Sequence, residues 1–191
     1  MTDQSNAKEK IIAAATELIN ESSGNISGIT ARSIAQKANI GLGLINYHFG
    51  SKDRLIEECV QRIINNVVFS FKPNLLNMET SKERLTACAS QVFAFLFENP
   101  SVSRISILGD MKAYGQGTNT SNTQQGFMRM LGDEIDSDKK ELLTFTLTGA
   151  MQTAFLSSFE GKPILRYDFS KAEERDKYIS DLVNLLFESI V

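Results

Sequence analysis

Residues 30–52 read TARSIAQKANIGLGLINYHFGSK, and how this stretch is read decides the fold. Thr30 has the chemistry of a helix N-cap, its hydroxyl accepting from the amide of Arg32 or Ser33. Behind it, Ile34, Ala35 and Ala38 form an inward stripe, and the alanines are small enough for a second helix to come close. Asn39 falls where the chain must turn sharply, and asparagine tolerates the left-handed conformation better than most residues. Ile40 then fills the angle between two helices, while Ile45 and Phe49, four apart, anchor the second helix to the same small core. The spacing predicts a helix from Leu42 to His48 and another beginning after Ser51. The pattern is that of a helix-turn-helix.

On that register Leu42, Gly43, Asn46 and Tyr47 point away from the core. An asparagine can bond an adenine edge through two hydrogen bonds, and an apolar side chain can meet a thymine methyl. Gly43 lets the helix backbone come close to a groove, and Tyr47 and His48 can donate to phosphates at its rim. Tyr47 and His48 can equally be packing residues, and one of Leu42 and Leu44 can be tucked into the small core. Two cations are oddly placed. Arg32 stands in the first turn of the second helix and Lys52 in the first turn of the fourth, where the helix dipole opposes them by about 0.3–1 kcal/mol each. A bound phosphate reverses that sign, because helix N-termini favour anions.

Working outward, apolar residues recur at helical spacing almost throughout, with no run of strict alternation, so the fold class is all-α. A first helix fits Ala7–Asn20, with Ile11, Ile12, Ala15, Leu18 and Ile19 as its buried stripe. The fourth helix reaches toward Phe71 before Pro73 ends it. Further helices fit Ser81–Glu98, Ser101–Tyr114, Gln124–Glu134, Asp138–Phe159 and Ser170–Ile190. Gly115–Gln125 is rich in Gly, Thr, Asn, Ser and Gln and reads as a flexible loop. Its GxG follows no predicted strand, so it is not read as a nucleotide cradle. The organisation expected is a DNA-binding domain over 1–52 and a larger helical body over 53–191. Their junction falls inside the fourth helix, which could act as a lever between them.

Bulk composition excludes several classes. The net charge of −3 argues against a wholesale polyanion binder. Residues 1–55 carry six cations (Lys8, Lys10, Arg32, Lys37, Lys52, Arg54) against five acids, and the remainder 14 against 18. Any DNA-binding part must therefore rely on well-placed cations, not on a broad basic face. The longest uncharged stretch, Leu142–Phe159, is interrupted by four threonines, a glutamine and two serines, which suits a helix buried in protein better than one in lipid. No signal segment is read at the start, and a cytoplasmic protein is expected. Cys59 and Cys88 stand in helical patterns without a CxxC, as small buried hydrophobes. No metal or cofactor motif is found. His48 is the only histidine, and neither GxSxG nor HExxH occurs, so no enzyme is expected.

The segment resembles the DNA-binding domain of the TetR family of transcriptional regulators. The resemblance runs through AKEKIIAAATELI (residues 7–19), ITARSIAQKA (29–38) and GLINYHFGSKDRLI (43–56). It implies that Thr30, Tyr47, His48 and Lys52 stand at positions that commonly touch phosphate. It places Leu42, Gly43, Leu44 and Asn46 on the recognition helix, and Arg32 where it can reach a base from the second helix. Asn39 replaces the family's usual glycine of the turn, and Gly41 and Leu42 replace its more common polar or basic helix start.

The resemblance further implies a homodimer through the two C-terminal helices and a small-molecule effector. The sequence is compatible with both. Gly149, Ala150, Ala154, Ser157 and Ser158 form a small-residue surface, and the last helix carries Ile179, Leu182, Val183, Leu185, Leu186 and Ile190, more apolar width than one core face needs. Phe69, Phe93, Phe97, Met111, Met128, Met151 and Phe155 are candidates to line a pocket for an apolar or aromatic effector, or to be plain core. The expected function is a repressor released by that effector from a near-palindromic double-stranded DNA operator. A corepressor-dependent or activating regulator, and a helical protein–protein adaptor that has lost DNA binding, are the alternatives.

Overall fold

The structure, a computed structural model, describes residues 2–22, 25–70, 78–159 and 165–188, with side chains described for 6–22, 25–66, 78–159 and 165–188. Nine α-helices and no strand occur among the described residues. They form two compact units, residues 1–72 with 100–106, and residues 73–99 with 107–191.

The first unit contains α1 (Thr2–Glu21), α2 (Ala31–Ala38), α3 (Gly43–Phe49), α4 (Lys52–Ser70) and the first half of α6 (Pro100–Lys112). Helical spacing sets its core: Ile11, Ala15 and Ile19 of α1 are fully buried against Ile34 of α2, Ile45 of α3, and Leu55 and Cys59 of α4. Val102 of α6 joins the same cluster. Ion pairs tie the surfaces of these helices. Lys37 meets Glu17 at 3.1 Å and Glu21 at 2.9 Å, and Arg62 bridges Glu9 and Glu58 at 3.0 and 3.1 Å. Such exposed pairs contribute only about 0–1 kcal/mol each, so the core carries the unit.

The second unit is built from α5 (Ser81–Glu98), the rest of α6, α7 (Asn119–Met128), α8 (Ser137–Ser157) and α9 (Ala172–Glu188). Local chemistry fixes the helix starts. Thr80 caps the Glu83 amide while the Glu83 carboxylate accepts from the Thr80 amide, a reciprocal capping box that holds the Glu83 carboxyl below its usual range. Asp136 caps α8 at the Asp138 and Lys139 amides. Successive turns of α8 bury Leu143, Leu147, Met151 and Phe155, while Leu142 and Phe145 stand 67% and 56% exposed.

Part of the loop expected over Gly115–Gln125 is helical instead, because α7 begins at Asn119. Thr118 caps the Ser121 amide at 3.1 Å. Thr120, almost wholly buried, donates both its amide and its hydroxyl to Asp110 Oδ2 at 2.7 Å and accepts from Gln152 Nε2 at 2.8 Å. Polar side chains that read as loop composition here serve as anchors. Among the described residues no helix is long and apolar enough to cross a membrane, and no cluster of His, Cys, Asp and Glu could hold a metal ion. Both cysteines are buried, and burial pushes the Cys59 thiol up and that of Cys88 to about 11.

Candidate nucleic-acid interface

The turn is set by one residue. Asn39 adopts φ 52° and ψ 52°, the left-handed conformation, and its amide donates back to Ala35 and Gln36. Ile40 follows, with its amide bonded to the Ala35 carbonyl at 3.0 Å and its side chain packed on the core. Helix α3 then starts at Gly43, and Ile45 and Phe49 hold it down as buried residues. Gly50, at φ 74°, closes α3, and the Ser51 hydroxyl accepts from the Arg54 amide at 3.2 Å to open α4.

With 100° between successive residues, burial of Ile45 and Phe49 turns Gly43 and Tyr47 to the centre of the opposite face. Leu44 stands on one side of that line and Asn46 on the other. All are exposed: Tyr47 at 69%, Leu42 at 51% and Leu44 at 37%, with Gly43 and Asn46 exposed beside them. Neither leucine is tucked into the small core. His48 is half-buried, its ring edge-on to Tyr47 at 5.0 Å and to Phe49 at 6.2 Å. Its Nε2 is buried with no hydrogen-bond partner among the described residues.

Helix starts bracket this face. The Thr30 hydroxyl accepts from the Ser33 amide at 3.0 Å, and the Ser33 hydroxyl accepts from the Thr30 amide in return. Arg32 follows, exposed and without an ion pair among the described residues. At the head of α4, Lys52 lies 3.5 Å from Asp53, whose own side chain is almost wholly in solvent. An exposed contact of that length is worth about 0–1 kcal/mol and yields readily to a stronger anion. Arg54 shares the rim and was not singled out by the sequence pattern. Its Nη1 lies 3.6 Å from where a Cβ would stand at Gly50. The available signal was the Ser51 cap, which fixes residue 54 in the first turn of α4.

The second unit gathers a different set of candidate residues. Phe93, Met151 and Phe155 are fully buried, and Phe97 is half-buried. Phe97 lies 5.1 Å from Phe93 and 5.2 Å from Phe155, edge-on to both. Phe169 and Tyr178 complete the cluster at 5.5 and 5.3 Å from Phe93, and the Arg175 guanidinium sits 5.2 Å from the Phe97 ring centroid. Met128 is half-buried on α7, whereas Met111 is half exposed on α6. The Phe69 side chain lies outside the described residues. On α9, Ile179 and Val183 are buried, Leu182 and Leu186 half-buried, and Leu185 exposed. Ile190 falls outside the described residues. On α8, Gly149 is exposed but Ala154 is buried within its own unit.

Residues 11–59 match the family model of bacterial regulatory proteins, tetR family. Over 95 residues the chain is 34% identical to the HTH-type transcriptional regulator BetI of Paraburkholderia phymatum, a match covering 48% of this chain and 43% of that one. It is 33% identical over 60 residues to BetI of Burkholderia thailandensis, covering 31% and 30%. The matched stretch thus spans less than half the length of either relative. Two solved structures of regulators from Rhodococcus sp. RHA1 share the fold more widely. A TetR-like transcriptional regulator superposes with a TM-score of 0.64 at 17% identity, over 93% of each chain. A TetR transcriptional regulator gives 0.65 at 16% identity, over 96% of this chain and 97% of that one.

Proposed function

We propose that the chain is a sequence-specific DNA-binding transcriptional regulator of the TetR family, a reading supported by the family-model match over residues 11–59 and by the 34% identity over 95 residues to a BetI regulator. It works as a homodimeric repressor that a small hydrophobic effector releases from a near-palindromic operator. The observation that carries the reading is the exposed face of α3, bracketed by the capped starts of α2 and α4.

In this reading α3 enters the major groove, and the amides at the starts of α2 and α4 approach phosphates on either side of it. Arg32 and Lys52 gain from that approach what they lose to the helix dipole in free protein. Thr30 and Tyr47 offer hydroxyls to the backbone. His48, half-buried with its ring against Tyr47, stands at the rim of the groove. Leu42, Gly43, Leu44 and Asn46 meet base edges. Leu142 and Phe145, large apolar side chains exposed on α8, support a two-fold interface with a second copy. Phe93, Phe97, Met151 and Phe155 are the candidates beside which an apolar effector would sit, shifting the population toward a form of lower operator affinity.

A gel-shift titration against the promoter region of the protein's own gene tests this. The expected result is a discrete complex that weakens steeply with salt. Lys52→Ala should lower the salt slope by about one, and Tyr47→Ala should weaken binding at every sequence alike. Absence of selective binding to any genomic fragment would overturn the reading in favour of a protein–protein adaptor. A thermal-shift screen with hydrophobic compounds tests the effector arm, which fails if no stabilising compound changes operator affinity.

A further inference from the structure

We infer that the half-site read by α3 has an A·T core whose thymine methyl groups dock on Leu42 and Leu44, and that α3 reads no guanine. This rests on the DNA-binding reading above and specifies its ligand. The exposed face of α3 carries Gly43, Leu44, Asn46 and Tyr47, with Leu42 exposed at its N-cap, and no lysine or arginine stands among them. The bidentate guanine contact, which needs a cation reaching O6 and N7, is therefore unavailable from this helix. Two leucines at 51% and 37% exposure are a poor surface for water and a good one for a methyl group. The only apolar group that a base pair presents in the major groove is the thymine C5-methyl.

The leucines also select against the alternative. A G·C pair placed under an apolar side chain loses its water without gaining a partner for O6 or N4, and a desolvated, unpaired polar group is disfavoured. Asn46 is the one side chain on this face suited to an adenine edge through N6 and N7. It shares one edge of the helix with Leu42, so an adenine and a thymine methyl are expected on neighbouring steps.

Gly43 brings these side chains to the groove floor. It lies between the two leucines, its φ is not left-handed, and a Cβ added there would meet nothing within 4 Å. The fold itself therefore gives no reason for glycine at this position. A bare backbone on the outward face lets the helix settle closer to a duplex than any side chain would permit.

The test begins with in vitro selection of duplexes by the full chain. Each thymine of the selected half-site is then replaced singly by deoxyuridine, which removes only the methyl group, and affinity is read by fluorescence anisotropy. At one or two positions the substitution should weaken wild-type binding about fourfold, the value of one buried methyl-sized group. At the same positions Leu42→Ala or Leu44→Ala should be insensitive to it. Replacing that T·A pair by C·G should cost more than about fivefold, because a polar edge is then stranded. Selective binding with deoxyuridine tolerated at every position, or a selected core of G·C pairs, would overturn this inference and leave the DNA-binding reading intact. No selected duplex at all would overturn both.

Discussion

The outward face of α3 and the aromatic cluster of the second unit are both made of large apolar side chains, yet the chain treats them in opposite ways. Phe93 and Phe155 are fully buried, and each has further rings within 6 Å. Leu42, Leu44 and Tyr47 are held out in solvent by a helix whose other face is fully packed. Residue type alone does not separate these cases. What separates them is how much of the local packing the chain itself can complete. Around Phe93, α5 and α9 complete it, whereas around Leu44 nothing in the first unit does.

The largest expected effect follows from that difference. Phe93→Ala should cost about 3–5 kcal/mol of stability, since it removes a ring packed against Phe97, Phe169 and Tyr178. Leu44→Ala should stay within about 0.5 kcal/mol of wild type, as surface substitutions do. Denaturant titration of both variants checks the pair. Equal destabilisation would mean that Leu44 is packed after all, and the comparison would collapse.

The contrast also explains what could be read from sequence. The helix-turn-helix was legible because its determinants lie close together in the chain. Thr30 and Ser33 cap each other, Asn39 turns, and Ile45 and Phe49 face one way four residues apart. Helix α5 was legible over Ser81–Glu98 from its periodicity. The start of α7 was not, because Thr120 is fixed by Asp110 and by Gln152, ten and 32 residues away. The surroundings of Phe93 and Phe97 were hidden for the same reason. Their partners Phe169, Arg175 and Tyr178 come from the far end of the chain, and no local spacing pairs them. Met111 shows the reverse error available to pattern reading, an apolar residue at helical spacing that is half exposed.

A second difference concerns polar groups. On the α3 side, Arg32 and Asn46 are exposed, while in the second unit Ser81 is buried and fully used. Its hydroxyl donates to Glu134 and accepts from the Gly132 amide at 2.7 Å and from Arg84 Nη2 at 2.9 Å. Ser81→Ala should cost about 1–3 kcal/mol, because the Gly132 amide is left without that partner. The Ser81 hydroxyl is also the main cause holding the Glu134 carboxyl below its ordinary value of 4.5. A depressed folded-state pKa stabilises in full above the unfolded value, and that contribution is lost as pH falls through the folded one. Thermal melts at descending pH should therefore show wild type losing stability below pH 4.5, with a shallower loss in Ser81→Ala. An identical acid limb in both proteins would remove Ser81 as the cause.

The smallest expected change in stability tests the comparison from the side of the exposed face. Glycine at the first position of a helix is entropically costly, and nothing inside the protein occupies the space beside Gly43. Gly43→Ala should therefore leave the fold intact and raise its stability by about 0.5 kcal/mol. The same methyl group projects from the centre of the outward face, between Leu44 and Asn46, where a duplex comes closest in the proposed docking. Operator affinity should fall while the melting temperature rises. A variant that gains stability and loses binding shows that the glycine serves the partner. One that gains stability and keeps full affinity would show that α3 does not approach DNA along this line, and Leu42 and Leu44 would then lose their place at the groove floor.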